Sequence, residues 1–148
     1  MSSSEIDYAS IIMSCMCTNL RITARIISQI YDQELSSIKI KATQFTLLVA
    51  IAYRKSITIT DLSEMLGMDI TSLSRGLKIL EKNDYIHIST NKDDKRSKNV
   101  TVTEDGKKII VKAIPMWTRA QQKVERKYSK DKMKDILSNL NLLQQALK

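Results

Sequence analysis

The sequence is poor in the residues that most catalytic and metal sites require. Its 148 residues include one histidine, three glycines and two cysteines. Three scattered glycines exclude a glycine-rich phosphate-binding loop, and two cysteines with one histidine cannot supply the usual four ligands of a structural zinc site. We therefore expect no catalytic residues, no metal and no cofactor.

Long apolar runs are also absent. The longest apolar stretch surrounds residues 45–52, well short of the roughly 20 residues that a transmembrane helix needs. The apolar residues near the N-terminus follow Glu5 and Asp7 rather than a basic leader. We expect a cytoplasmic protein that forms a single unit over residues 1–148, with no membrane partner.

Positive charge is in excess. The chain has 24 Lys and Arg residues against 16 Asp and Glu residues, a net charge of +8. A basic balance of this size favours a nucleic-acid or anionic-membrane partner. The surplus is largest in residues 99–148, where 11 basic residues face 5 acidic ones, so net charge alone does not locate a binding surface.

A helix-turn-helix pattern begins near Thr60, a suitable N-cap, and turns at Gly67, where glycine permits a left-handed backbone. The second helix is predicted over residues 70–84. Its apolar residues recur at helical spacing and predict one buried face: Leu73, Leu77 and Leu80. The remaining face is polar and basic: Thr71, Ser72, Ser74, Arg75, Lys78 and Lys82. A helix divided in this way suits the major groove of DNA.

Two alternating β-patterns follow, at residues 85–89 and 99–103, and residues 57–59 predict a third strand that joins them. The hairpin tip between the two longer strands is basic: Lys92, Asp94, Lys95, Arg96 and Lys98. Helix, turn, helix and basic hairpin in this order predict a winged helix-turn-helix.

The wing sequence resembles the signature of the MarR family of bacterial transcriptional regulators. The matching residues are Asp94-Lys95-Arg96 and Val102-Thr103-x-x-Gly106. Residues 68–75 resemble the family's recognition helix, and Cys15-x-Cys17-x-Asn19-Leu20-Arg21 resembles the motif of one sub-branch. Three features depart from the usual family pattern and bear on DNA sequence preference: Ile79, Lys95 and Asn83-Asp84.

The resemblance covers nearly the whole chain and implies a mainly α fold with a small antiparallel β wing. It also implies N- and C-terminal dimerisation helices, at residues 9–37 and 104–148, around a winged-helix DNA-binding region at 43–103. These helical segments carry apolar stripes that one small winged region cannot cover. The stripes either pack on each other within one copy or against a second copy, and we favour a homodimer.

DNA contacts follow from this arrangement. Ser72, Ser74 and Arg75 are expected at base edges of double-stranded DNA, and Arg96, oriented by Asp94, in the minor groove, as the resemblance implies. The remaining cations are expected at phosphates: Lys78, Lys82, Lys92 and Lys98. We expect a repressor of a pseudo-palindromic operator, released by an effector.

Cys15 and Cys17 have two interpretations. On one continuous helix they point about 200° apart, which excludes a bridge between them. They are either small packed side chains or thiols that sense oxidation, with Arg21 and Arg25 nearby.

Three aromatic residues predict a ligand pocket where the first, second and fifth helices meet: Tyr31, Phe45 and Trp117. The alternative is that they are ordinary core. Two other functions stay open at this point, a winged-helix protein-interaction module and a small-molecule-binding protein without a DNA function.

Overall fold

A computed structural model describes residues 6–148, so the first five residues of the predicted unit 1–148 lie outside the described part. The described chain forms seven α-helices and one three-stranded antiparallel sheet. The helices are α1 (Tyr8–Ser14), α2 (Met16–Leu35), α3 (Ala42–Arg54), α4 (Ile59–Leu66), α5 (Ile70–Lys82), α6 (Glu104–Tyr128) and α7 (Lys130–Ala146). The strands are β1 (Ser56–Thr58), β2 (Ile86–Thr90) and β3 (Lys98–Val102). The predicted fold class is confirmed.

Most of the hydrophobic core lies in residues 42–102, which we call the winged region. The leucines predicted to face inward from α5 are buried, with Leu73 at 0% and Leu77 and Leu80 at 1% exposure. They belong to the same buried cluster as Leu48 and Ile51 of α3. Because α3 is apolar on most of its sides, it can lie under both α5 and the sheet.

The sheet has the order β1-β3-β2, so β3 is its central strand. Val100 of β3 is opposite Ile57 of β1 and Ile88 of β2. These side chains share the core face, as alternation along a strand requires. The predicted third strand is confirmed, although β1 ends at Thr58, one residue before the predicted limit.

Two helices in the winged region begin earlier than their local sequence suggested. α4 begins after Thr58, whose hydroxyl accepts the N–H of Asp61 at 3.0 Å, and not after Thr60. α3 begins at Ala42, although Thr43 is of a residue type that favours the N-cap position. The Ala42 N–H donates to Asp32 Oδ1 of α2 at 2.7 Å, so a residue ten positions away supplies the acceptor. An acceptor on another helix lies outside the local capping patterns used in sequence reading.

The predicted continuous helix over residues 9–37 is wrong at Cys15. This residue has an extended backbone, with φ −69° and ψ 110°, and separates α1 from α2. The Asn19 side-chain amide donates to the Met13 carbonyl at 3.0 Å, which the break leaves without a helical partner. It also donates to the Cys15 carbonyl at 2.9 Å, which accepts the Asn19 N–H as well. Apolar spacing continues across the break, which is why periodicity did not reveal it.

No single helix among residues 6–148 is long and apolar enough to cross a membrane. One pair, Met16–Ile38 with Ala42–Arg54, reaches the required length and composition only jointly, across a bend of 80°.

Candidate DNA-binding surface and effector pocket

The reading helix α5 presents its predicted polar face to solvent. Thr71, Ser72, Arg75, Lys78 and Lys82 are all exposed, opposite the buried leucines. Ser74 is half-buried and lies on the wing side, where it lines a small depression with Ser89 and Lys98. The predicted cations of α5 therefore share one exposed face, and Ser74 is the least exposed residue of the predicted set.

Asp69 caps the N-terminus of α5. Its Oδ1 accepts the Ser72 N–H at 2.8 Å. Hydrogen bonds from the hydroxyl and then the N–H of Ser72 lower the pKa of the Asp69 carboxyl. This acid is therefore held in its charged form, where it also complements the positive end of the helix dipole.

Ile79, which departs from the usual family pattern, also lies on the exposed face of α5. It follows Arg75 by four residues on α5 and is 47% exposed. Residues four apart are neighbours on a helix surface, so this spacing in the sequence predicts that Ile79 lies beside Arg75. An apolar side chain at such a position can contact the methyl group of thymine.

The wing is a turn of residues 91–97 held by short hydrogen bonds. The Asn91 N–H donates to the Ser97 carbonyl at 2.8 Å, and Ser97 N–H donates to the Asp94 carbonyl at 3.0 Å. Asp94 Oδ1 accepts the backbone N–H of Arg96 at 2.9 Å. Asp94 thus shapes the turn that carries Arg96, and it does so through the backbone. The charged side chains of this turn are exposed: Lys92, Asp94, Lys95, Arg96 and the adjoining Lys98.

The end of α5 is joined tightly to the start of α6. The Thr103 hydroxyl donates to the Asp84 carbonyl at 2.5 Å and, as the N-cap of α6, accepts the Gly106 N–H at 3.0 Å. A Cβ at Gly106 would lie 2.0 Å from the Tyr85 carbonyl oxygen, so only glycine fits without movement of the backbone. Asp84 has φ +58°, a left-handed conformation in which glycine is more usual. This junction couples the orientation of the reading helix to that of α6.

A cavity of about 690 Å³ lies between α2, α3, α4 and α6, and the three predicted aromatics all line it. Tyr31 comes from α2, Phe45 from α3 and Trp117 from α6. Apolar residues form most of the remaining wall: Ala42, Val49, Ala50, Met65, Leu66, Ile110 and Ile114. Thr46 and Tyr53 complete it. The volume falls within the range of small-molecule sites.

Two acids of α2 form ion pairs with residues outside that helix. Asp32, which caps α3, also lies 3.7 Å from the Lys41 ammonium. Glu34 pairs with Lys123 and, at 2.9 Å, with Arg119 Nε, both on α6. These two contacts, from Lys123 first and Arg119 second, lower the pKa of the Glu34 carboxyl. α2 is thereby linked to the winged region on one side and to α6 on the other.

Cys15 is half-buried and Cys17 is exposed. Cys15 has an extended backbone and is not part of a helix. The angle of about 200° expected between Cys15 and Cys17 on one continuous helix therefore does not apply to this pair. The Cys15 Sγ accepts the Thr18 N–H at 3.4 Å at the N-terminus of the long helix α2. The Thr18 hydroxyl and then this N–H lower the pKa of the Cys15 thiol. A lowered pKa favours the reactive thiolate.

Together, the buried core, the exposed basic face of α5 and the basic β-hairpin define a winged helix-turn-helix protein. The model of the MarR family matches residues 40–98. The transcriptional regulator SarZ of Staphylococcus haemolyticus is 31% identical over 101 residues, which are 67% of this chain and 69% of that relative. SarZ of Staphylococcus aureus strain USA300 is 29% identical over 94 residues, 64% of each chain. The chain belongs to the MarR family of transcriptional regulators.

Solved structures show the same fold over nearly the full chain. A mutant of MarR from E. coli, complexed with operator DNA, superposes with a TM-score of 0.80 at 22% identity over 97% of this chain and all of that one. The transcriptional regulator MosR of M. tuberculosis, in complex with DNA, gives 0.77 at 26% identity over 91% of this chain and 99% of that one. The repressor CouR, bound to a 23-mer DNA duplex, gives 0.80 at 17% identity over 95% of this chain and 99% of that one.

Proposed function

We propose that this protein is a homodimeric repressor that binds a pseudo-palindromic operator in double-stranded DNA and acts in the cytoplasm. One observation carries the proposal: α5 buries three leucines on one face and exposes Arg75, Lys78 and Lys82 on the other, beside a basic wing. The relatives solved with DNA support the same role. Neither the sequence nor the described residues provide a constellation that would favour an enzyme.

The proposed contacts differ in kind. Ser72 and Arg75 meet base edges in the major groove, with Ser74 at the side nearer the wing. Lys78, Lys82, Lys92, Lys95 and Lys98 contact phosphates, which supply affinity without sequence information. Arg96 enters the minor groove on the turn that Asp94 shapes. Thr71 lies at the leading end of α5, and Ile79 adds an apolar contact to this set.

Residues 9–37 and 104–148 are proposed to dimerise and residues 43–103 to bind DNA, within one unit. Exposed apolar residues on α1, α2 and α7 support a second copy at this surface, for example Ile12, Ile26 and Leu137, which are 59%, 56% and 51% exposed. Paired terminal helices would hold two reading helices at a fixed separation, matching half-sites about 34 Å apart.

Selection of bound duplexes from a random pool tests the proposal directly. We expect a pseudo-palindromic sequence and an affinity that falls by orders of magnitude between low and physiological salt. Binding that is indifferent to salt, or a pool without enrichment, would contradict it.

Two arginine variants test the proposed major-groove contact of Arg75 and the proposed minor-groove contact of Arg96 on the selected site. Arg75→Ala should cost about 1–3 kcal/mol and relax preference at one base position. Arg96→Ala should weaken binding more on sites with a narrow A/T-rich minor groove. Arg126→Ala removes an exposed arginine near the far end of α6 and is the matched control. Equal losses for all three variants would show that binding reports only net charge.

Release is proposed to follow either a small molecule in the cavity beside Trp117 or oxidation of Cys15. Peroxide converts a cysteine thiolate to a sulfenic acid, which changes the charge and size of the α2 cap. Mild peroxide should weaken operator binding by the native protein and by Cys17→Ser but not by Cys15→Ser. If peroxide weakens operator binding by Cys15→Ser as much as by the native protein, Cys15 serves only in packing.

A further inference from the structure

Ile79 is a large apolar side chain on the polar face of α5, and it takes no part in the core. Among residues 6–148 it belongs neither to the buried cluster nor to the partly buried residues packed against that cluster. Ile70 is also exposed, but it continues the stripe of Leu73 and Leu77 at helical spacing. Ile79 is therefore the apolar residue that interrupts the polar face, and it gains free energy when another molecule covers it.

Helical spacing places Ile79 on the flank of α5 that is turned away from the wing. At about 100° per residue, Ser72, Arg75 and Ile79 lie within about 60° of one another around the helix axis. Ser74 and Lys78 lie on the other flank, where they line the depression beside the wing strands. Ile79 is thus a neighbour of the two residues that we propose to contact base edges.

The position of Ile79 along α5 determines which base pair it can reach. It follows Arg75 by four residues, which is about 6 Å along the helix axis. Successive base pairs are about 3.4 Å apart. With α5 in the major groove, Ile79 therefore reaches a base pair about two steps from the one that Arg75 contacts.

The major groove offers one apolar group to such a side chain. Guanine, adenine and cytosine are distinguished there by hydrogen-bond donors and acceptors, whereas thymine also presents its C5-methyl group. An isoleucine side chain has no hydrogen-bonding atoms, so it can favour a base only through this methyl group.

We propose that Ile79 contacts the C5-methyl group of one thymine in each half-site of the operator and thereby selects thymine at that position. Because Ile79 departs from the usual family pattern, this contact distinguishes the operator of this chain from those of relatives with a polar residue there. The inference rests on the proposed function, since it names a base that the same surface reads.

A uracil scan of the selected operator tests the methyl contact. Uracil differs from thymine only in lacking the C5-methyl group. Each thymine of one half-site is replaced in turn, and fluorescence anisotropy gives the dissociation constants of the native protein and of Ile79→Ala. At one thymine, about two base pairs from the position that relaxes in Arg75→Ala, uracil should weaken native binding about fourfold, the effect of losing one buried methyl group. The same replacement should leave binding by Ile79→Ala unchanged.

Two controls isolate the methyl group. Lys78→Ala also truncates an exposed side chain of α5, and it should lower affinity but keep the full uracil effect. Cytosine and then 5-methylcytosine, each paired with guanine, are also placed at the identified position. The added methyl group should strengthen native binding about fourfold and leave Ile79→Ala unaffected. Alanine favours helix, so Ile79→Ala should retain α5, which circular dichroism checks.

The outcomes separate this inference from the proposed function. Operator binding that is insensitive to uracil at every thymine overturns the methyl contact and leaves the DNA function standing. A uracil effect of equal size in the native protein and in Ile79→Ala assigns the methyl group to another residue and also overturns the inference. If no duplex is enriched from the random pool, the proposed function fails and this inference fails with it.

Discussion

The winged region and the terminal helices have similar apolar spacing but bury their apolar residues to very different degrees. Leu48 and Leu77 of the winged region are at most 1% exposed, whereas Leu137 and Leu142 of α7 are 51% and 61% exposed. Within the described residues, α1 and α7 contain no buried side chain at all. The spacing therefore predicts which face of a helix is apolar, but not what covers that face.

This contrast distinguishes a region that completes its own core from one that needs a partner. Contiguous apolar surface of this kind usually marks an interaction site in a soluble protein. A second copy of the chain is the partner that we propose, because its own terminal helices present the same apolar faces. Each of the following experiments changes one region, or the link between the two regions, and compares it with a matched change.

The largest effect is expected from truncating a leucine in each region. Leu48→Ala should reduce the free energy of unfolding by about 2–5 kcal/mol, because it leaves a cavity in the packed winged region. Leu137→Ala should change the unfolding free energy of the monomer by less than about 0.5 kcal/mol, since its side chain is half exposed there. Urea denaturation at several protein concentrations measures both.

Sedimentation gives the second half of this comparison. Leu137→Ala should weaken the dimer, whereas Leu48→Ala should not do so at temperatures where the variant is folded. If Leu137→Ala leaves the dimer unchanged, α7 is not part of the interface and the contrast between the regions needs another explanation.

Two glycine substitutions test the junction between the reading helix and α6. Gly106→Ala should cost about 3 kcal/mol, because its Cβ would meet a backbone carbonyl that cannot rotate away. Gly67→Ala should cost only about 1 kcal/mol, since nothing lies within 4 Å of its Cβ and the cost comes from φ +61° alone. Thermal unfolding ranks the two, and a reversed order would show that the junction is not rigid.

The contacts between α2 and the winged region should contribute less to the free energy of unfolding than the junction at Gly106. Asp32→Ala removes the acceptor for the Ala42 N–H and should cost about 0.5–2 kcal/mol, as the loss of a helix cap does. Asp32→Asn retains a carbonyl oxygen and should lose less. Lys41→Ala removes only an exposed ion pair and should cost at most about 1 kcal/mol. Chemical denaturation compares the three, and equal losses for Asp32→Ala and Asp32→Asn would point to the charge and not to the cap.

The smallest effect concerns the Cys15 thiol and leaves stability almost unchanged. Folding lowers its pKa, so the contribution to stability is present above the unfolded-state pKa and is lost as the pH falls through the folded-state pKa. In Cys17→Ser, alkylation of Cys15 should therefore reach its midpoint at a lower pH in the folded than in the urea-unfolded protein. Adding Thr18→Val, which removes the hydroxyl, should raise that midpoint in the folded protein. Identical midpoints in all three samples would contradict the assigned role of Thr18.

The sequence by itself determined the reading helix, the wing and the family. Leu73, Leu77 and Leu80 are spaced three or four residues apart, which places them on one face of α5. Thr103 caps α6 by a hydrogen bond within its first turn. Such local patterns depend on backbone geometry that every helix and strand shares. They were therefore readable without knowledge of the tertiary structure.

Only the tertiary structure decided where elements from distant parts of the chain meet. Asp32 of another helix accepts the first N–H of α3, and the cavity is formed by side chains from four helices. The half-burial of Ser74 depends on the nearby wing. These features follow from three-dimensional packing and from the partners of individual polar groups, and residue spacing encodes neither.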